Sequence, residues 1–358
     1  MCFGARDASI LTCRSVNANA PGNLRRPSLG SGGQLVMVVL VGGAGFVGLN
    51  LAEVLLQRGT SVLVVDRSPP PEEAMAAFAS LPGRLTVAVG DVTDAAALAE
   101  AIPRSAGALV LGAAITAGPE REAADPETIM GVNLAAIPPL LRIARGRVGR
   151  IVNLSSAAAY GPVGGTEPVD ESAPVDPSTL YAVTKFASER VASRLASLWE
   201  LDLVNVRLSG VFGPWERDTG VRDTLSPQGQ ITACAREGRA AILSDESARD
   251  WIYATDVAEA VASVIDAPSL TERLFNVSTP RTSSILDWGR ALAGHYPDLV
   301  CRRAEPGEAP TIVLPRLPAR PPLATQRLAR ETGWTARFDV TAAAADTAQR
   351  MAGGGSAR

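Results

Sequence analysis

Met37-Val38-Val39-Leu40-Val41-Gly42-Gly43-Ala44-Gly45-Phe46-Val47-Gly48 is the stretch whose reading decides the fold. A β-branched apolar run from Leu35 to Val41 gives way to glycines at 42, 43, 45 and 48. From Gly45 to Arg58 the apolar residues recur at helical spacing, and Gly59 follows as a helix stop. Leu35 to Leu56 carries a single charge, Glu53, which is the signature of a membrane span as well as of a buried segment. The glycines, Asn50 and the switch from strand-like to helix-like spacing favour a buried strand, a tight turn and a helix.

Outward from this unit the same alternation repeats. Ser61–Asp66, Leu85–Val89, Ala108–Leu111, Ile151–Leu154 and Leu203–Leu208 read as strands, and Pro69–Pro71 as a turn. Asp94–Ile102, Asp125–Arg145 and Ser178–Trp199 read as helices. Asp94 is placed to cap the first of these. Pro138-Pro139 is expected to kink or split the second. Strands alternating with helices imply right-handed crossovers and a parallel sheet covered on both faces. The expected class is α/β, a Rossmann-type doubly wound parallel sheet over residues 35–208. Beyond it, Gly213-Pro214, Ser226-Pro227 and the Pro-rich span from Pro306 to Pro322 point to a smaller, irregular C-terminal substrate lobe. That lobe is expected over 209–340, with some segments returning to the first domain. Residues 1–34 read as a disordered extension, and the alanine-rich 341–358 as a helical or frayed tail.

Composition narrows the function. The chain has 358 residues and a net charge of −3, so no basic field favours nucleic acid or an anionic membrane. Four scattered cysteines form no CxxC pair and no disulfide framework, which makes a reducing cytoplasm the expected compartment. The sole histidine, His295, rules out His-rich metal sites and leaves a Ser-His-Asp triad one candidate base; no GxSxG turn surrounds a serine. No metal is expected. Lys185 is the only lysine among 34 basic residues.

The glycines at 42, 45 and 48 suit a tight turn, a close approach of backbone to a pyrophosphate and close packing of helix on strand. The phosphates would meet free N–H groups at the helix start, beside Phe46 and Val47. Asp66 ends the second strand, 18 residues beyond Gly48 (66 − 48), where a carboxylate accepts hydrogen bonds from ribose hydroxyls and repels a 2′-phosphate. NAD is thus expected over NADP, with neighbouring Arg67 as the counter-signal. Tyr181 and Lys185 stand four apart, on one helix face. An ammonium near a phenol favours the phenolate, and a compact Lys is not replaced by a planar Arg. Tyr181 is the expected acid/base. Ser155-Ser156 follows the fifth strand at its carboxyl end, where open α/β sheets bind ligands.

Taken in this order, the motifs resemble the extended short-chain dehydrogenases/reductases, the NAD-dependent epimerase/dehydratase group, from about Val38 to Trp334. The resemblance implies adenine contacts from Asp91 and Val92 in Gly90-Asp91-Val92, and cofactor contacts from Ala113, Ala114 and Asn133. It implies that Ser156, Tyr181 and Lys185 are catalytic, with Ser156 also touching substrate. The stretches Arg207–Pro214, Arg249–Asp256 and Glu331–Trp334 match later landmarks, and Arg249 is where members bind a substrate phosphate. Its alternative is a salt bridge to Asp250 or Asp256.

The departures are informative. Ala157-Ala158-Ala159 precedes Tyr160 where the 4,6-dehydratases carry an acidic pair and related decarboxylases a Glu, so neither activity is expected. Gly210 stands where nucleotide-sugar enzymes carry an Asn that meets the substrate diphosphate, which counts against such a substrate. The expected function is an oxidoreductase or epimerase moving a hydride at a secondary alcohol carbon of a sugar, sugar acid or nucleotide sugar. A catalytically silent NAD-binding regulator is the other class, disfavoured by the intact Ser156, Tyr181 and Lys185. A homodimer is a further expectation.

Overall fold

The computed structural model describes residues 14–15, 37–315 and 319–353. Seven parallel strands build the central sheet: β2 (Met37–Val41), β3 (Ser61–Asp66), β4 (Arg84–Val89), β5 (Ala106–Leu111), β6 (Val148–Ser156), β7 (Asp202–Leu208) and β11 (Leu274–Val277). A two-residue strand, β1 (Arg14–Ser15), pairs antiparallel with Thr86 and Val87 on the β4 edge. The order across the sheet is β1-β4-β3-β2-β5-β6-β7-β11, so it reverses direction at β2, between β3 and β5. That switch point is where open α/β sheets receive ligands at their carboxyl ends. The remainder of 1–34 lies outside the described residues.

The inner strands are rich in Val, Ile and Leu and buried on both faces, with buried polar residues in β6 and β7. Helices Phe46–Gln57 and Ala254–Asp266 cover one face, and helices Ala95–Ala101, Ile137–Ala144 and Leu180–Trp199 cover the other. Two of these facts extend the sequence reading. β11 and helix Ala254–Asp266 come from beyond residue 208 yet join the main sheet and its cover, Leu274–Val277 pairing in register with Asn205–Leu208. The stretch read as one helix over 125–145 is three pieces: Pro126–Met130, a π-turn at Gly131–Ala135, and Ile137–Ala144. Pro138 and Pro139 sit in the first turn of the third piece, where their missing N–H groups cost nothing. The break therefore precedes the prolines.

The second lobe has its own small core around Phe212, Ile231, Leu243, Trp288 and Leu292. It holds two short parallel pairs, β8 (Val211–Phe212) with β10 (Ile252–Tyr253) and β9 (Ala241–Leu243) with β12 (Cys301–Arg303). The alanine-rich tail is a helix, Val340–Gly353, with Ala343 and Ala344 fully buried. Among the described residues no helix is long and apolar enough to cross a membrane.

Candidate active site

The glycine turn closes the C-terminal end of β2. Gly42 has φ +78° and donates its N–H to Val65 O at 2.9 Å. A Cβ on Gly42 would lie 2.4 Å from the Ala113 nitrogen, and one on Gly48 2.6 Å from Gly43 Cα. Only glycine fits at either place. Helix Phe46–Gln57 starts at Gly45 with no side-chain cap and no acid in its first turn. Its first N–H groups and the positive end of its dipole thus remain available to an anion.

Asp66 Oδ2 accepts the Ala44 N–H at 3.0 Å, across the turn from β3. Burial raises its pKa, opposed by N–H bonds from Ala44, Ser68 and Arg67 and by the Arg67 charge. Arg67 is exposed. From the second lobe, Arg217 Nη2 donates to Ala44 O at 2.8 Å. Asp91, beyond β4, accepts the Thr93 N–H and hydroxyl at 2.8 and 2.7 Å on Oδ1, which pulls its pKa down. Val92, Ala113, Asn133 and Lys185 line one internal cavity with Val41 and Leu111. Asn133 itself is spent on scaffolding. Its Oδ1 accepts Ile115 N–H at 2.8 Å, and its Nδ2 donates to Ile115 O and Thr184 Oγ1 at 3.0 and 3.1 Å. It thereby ties the segment after β5 to helix Leu180–Trp199.

Ser156 ends β6, beside the helix that carries Tyr181. Ser156 Oγ accepts the Ala158 N–H at 3.1 Å, and the Ser156 and Thr116 side chains bear on the Tyr181 phenol. Burial pushes the Tyr181 phenol above its ordinary pKa, while the Ser156 bond, the Arg222 charge and the Thr116 bond pull it back. Arg222, from the segment after β8, thus adds a positive charge on the Tyr181 side that the sequence did not point to. Lys185 lies one turn deeper and is 5% exposed. Burial brings its pKa down to about 8, against the opposing pull of Glu189.

Behind Lys185 stands a buried polar chain that pattern reasoning missed. Glu189 accepts a bidentate pair from Arg207 of β7, Nε to Oε1 at 2.9 Å and Nη2 to Oε2 at 2.6 Å. It also accepts the Ser155 hydroxyl. The Arg207 guanidinium lies 4.5 Å over the Tyr160 ring, whose hydroxyl donates to Asn276 Oδ1 at 2.8 Å. Glu189 is four residues from Lys185, so the helical spacing was the one signal available for it.

Arg249 is bridged through its backbone to Ser283. Its charge neighbours are Arg320 and Asp250, and burial with Arg320 lowers its pKa to about 10. Asp250 is itself paired with Arg320 at 3.0 Å, both side chains buried. Asp256 accepts the backbone N–H groups of Arg337 and Phe338. At Gly210 a Cβ would lie 2.4 Å from the Trp251 ring, so the indole fills the space of any side chain there.

Residues 38–278 match the sequence model of the NAD-dependent epimerase/dehydratase family. UDP-glucuronate 4-epimerase 1 of Arabidopsis thaliana is 30% identical over 251 residues, 66% of this chain and 56% of that protein. D-erythronate dehydrogenase of Cupriavidus necator is 37% identical over 166 residues, 44% of this chain and 49% of that one. The chain thus spans about half the length of these curated relatives. The solved UDP-glucose 4-epimerase of Thermus thermophilus, a complex with NAD, superposes with TM-score 0.69 and 25% identity over 89% of this chain and 99% of its own.

Proposed function

Because the chain belongs to the NAD-dependent epimerase/dehydratase family, we propose that it binds NAD and moves a hydride at a secondary alcohol carbon of a sugar-like substrate. The observation that carries the reading is Ser156 at the carboxyl end of β6, beside the helix that carries Tyr181 and, one turn on, Lys185. The residues present suit the dinucleotide: a glycine cradle that a Cβ would fill and a helix start without a cap. Bound NAD supplies the site that accepts or returns the hydride.

The chain's own part is positioning and proton transfer. Gly42, Gly45, Gly48 and the first turn from Phe46 and Val47 take the pyrophosphate, and Asp66 takes the ribose hydroxyls, with Asp91 and Val92 toward the adenine. Lys185 holds the second ribose. Ser156 holds the substrate oxygen while Tyr181 takes its proton, balanced by the C–H hydride leaving the same carbon. A dehydrogenase releases the ketone or lactone; an epimerase returns the hydride to the other face. A catalytically silent binder has no use for this set of hydroxyls. The Trp251 ring over Gly210 supports a substrate without a nucleotide diphosphate.

The half-exposed apolar residues Met130, Val183 and Leu198 on two helices of one face support pairing of two copies, to be checked by analytical ultracentrifugation. The function itself is tested by following NADH absorbance against sugars, sugar acids and nucleotide sugars. Formation of NADH, or epimerised product without it, is expected from at least one of them. Failure of the protein to bind NAD overturns the reading.

A further inference from the structure

Arg222 reaches the reaction site by a route built from backbone. Thr116 follows Ile115, which Asn133 ties to Thr184 on the helix of Tyr181, and it forms a parallel bridge with Arg222 and donates its N–H to Val221 O at 2.8 Å. On either side the same loop is tied down: Arg121 Nη1 donates to Gly220 O at 2.7 Å, and Gly118 N–H to Asp223 Oδ2. These bonds fix the loop without help from the Arg222 side chain. Among the described residues the guanidinium makes one hydrogen bond, Nη1 to Glu216 Oε1 at 2.7 Å. Glu216 is nearly buried, at 4% side-chain exposure, and is also served by Ser226 N–H and Oγ at 2.6 Å each. Arg222 is 37% exposed. A guanidinium carries five N–H donors in a planar fork, so a single bond leaves an edge for two-point binding of a carboxylate. Arg121 is held by Gly220 O and Asp223, and Lys185 lies deeper and is assigned to ribose.

We propose that Arg222 anchors a carboxylate of the substrate beside Tyr181, so that the substrates are sugar-type hydroxy acids. This rests on the hydride-transfer reading and narrows it. The acid group sits within a few bonds of the carbon whose hydroxyl meets Ser156 and Tyr181. Its charge is unchanged by the reaction, so Arg222 serves binding and orientation.

The test compares four- to six-carbon aldonates with the uncharged alditols of the same length, using the full chain saturated with NAD. Calorimetry reads binding, and NADH absorbance reads kcat/KM. The wild type is expected to favour the acids, and Arg222→Gln to lose about 10²-fold in kcat/KM for acids, the size expected of a lost two-point ionic contact. NAD affinity is expected to be unchanged. Arg222→Lys, which keeps the charge and loses the fork, falls between, and gives the same discrimination should Arg222→Gln fail to fold. A wild type that binds alditols as well as acids, or an Arg222→Gln variant with the wild-type acid preference, overturns the proposal. If acids bind through Arg222 but none is oxidised or epimerised, the anchor stands and the hydride-transfer reading falls.

Discussion

Lys185 is the residue on which the proposed cofactor site depends most. A chain that uses arginine almost everywhere keeps its one lysine four residues after Tyr181, and burial there brings its pKa to about 8. The ammonium is thus present below about pH 8 and is lost as pH rises through that value. NAD affinity is expected to fall on the alkaline side, in titrations between pH 6.5 and 9.5; constant affinity over that range removes Lys185 from the cofactor site. Lys185→Arg is expected to cost about 10²–10⁴-fold in turnover despite the retained charge, since a planar fork does not replace a compact donor. A variant with near wild-type kcat withdraws the assignment. The Tyr–Lys pair was legible because its spacing is local to one helix. Thr116 and Arg222 were not, because they approach Tyr181 through a loop pairing that joins segments 106 positions apart (222 − 116).

At the scale of elements, helix Leu180–Trp199 is held to the sheet by the buried Glu189–Arg207 pair, both side chains about 4% exposed or less. Glu189→Gln removes one charge of a desolvated pair and leaves Arg207 uncompensated, which is expected to cost about 3–5 kcal/mol in urea unfolding. A loss under 1 kcal/mol means that the pair is not what holds the helix. The six strands through β7 were legible from their apolar runs and the glycine turn, since parallel buried strands are written as continuous Val, Ile and Leu. β11 was hidden: Leu274–Val277 is four residues long and follows no regular alternation. The π-turn at Gly131–Ala135 was hidden as well, because it is set by the bonds of Asn133 to Ile115 and Thr184.

Across the whole molecule, the two lobes are sewn together by contacts distant in sequence. Arg217 reaches the glycine turn, Asn50 donates to Pro214 O at 2.7 Å, and Trp215 donates to Glu53 at 2.7 Å. The last helix joins in: Arg350 pairs with Glu53 at 3.0 Å, and Tyr253 donates to Asp346 at 2.7 Å. The alanine-rich tail showed its helical character but not these anchors, since Glu53 lies 297 positions away. Removing residues 340–358 is therefore expected to lower the urea midpoint markedly, and an unchanged midpoint contradicts a structural tail. The proposed function places hydride transfer at the carboxyl end of β6, with Tyr181 as its acid/base. The most direct measurement is single-turnover NADH absorbance with saturating NAD, wild type against Tyr181→Phe, on a substrate found by the panel above. The expected result is a 10²–10⁴-fold slower rise in the variant with NAD affinity unchanged, because only a hydroxyl is lost. A rise at the wild-type rate in Tyr181→Phe contradicts the claim.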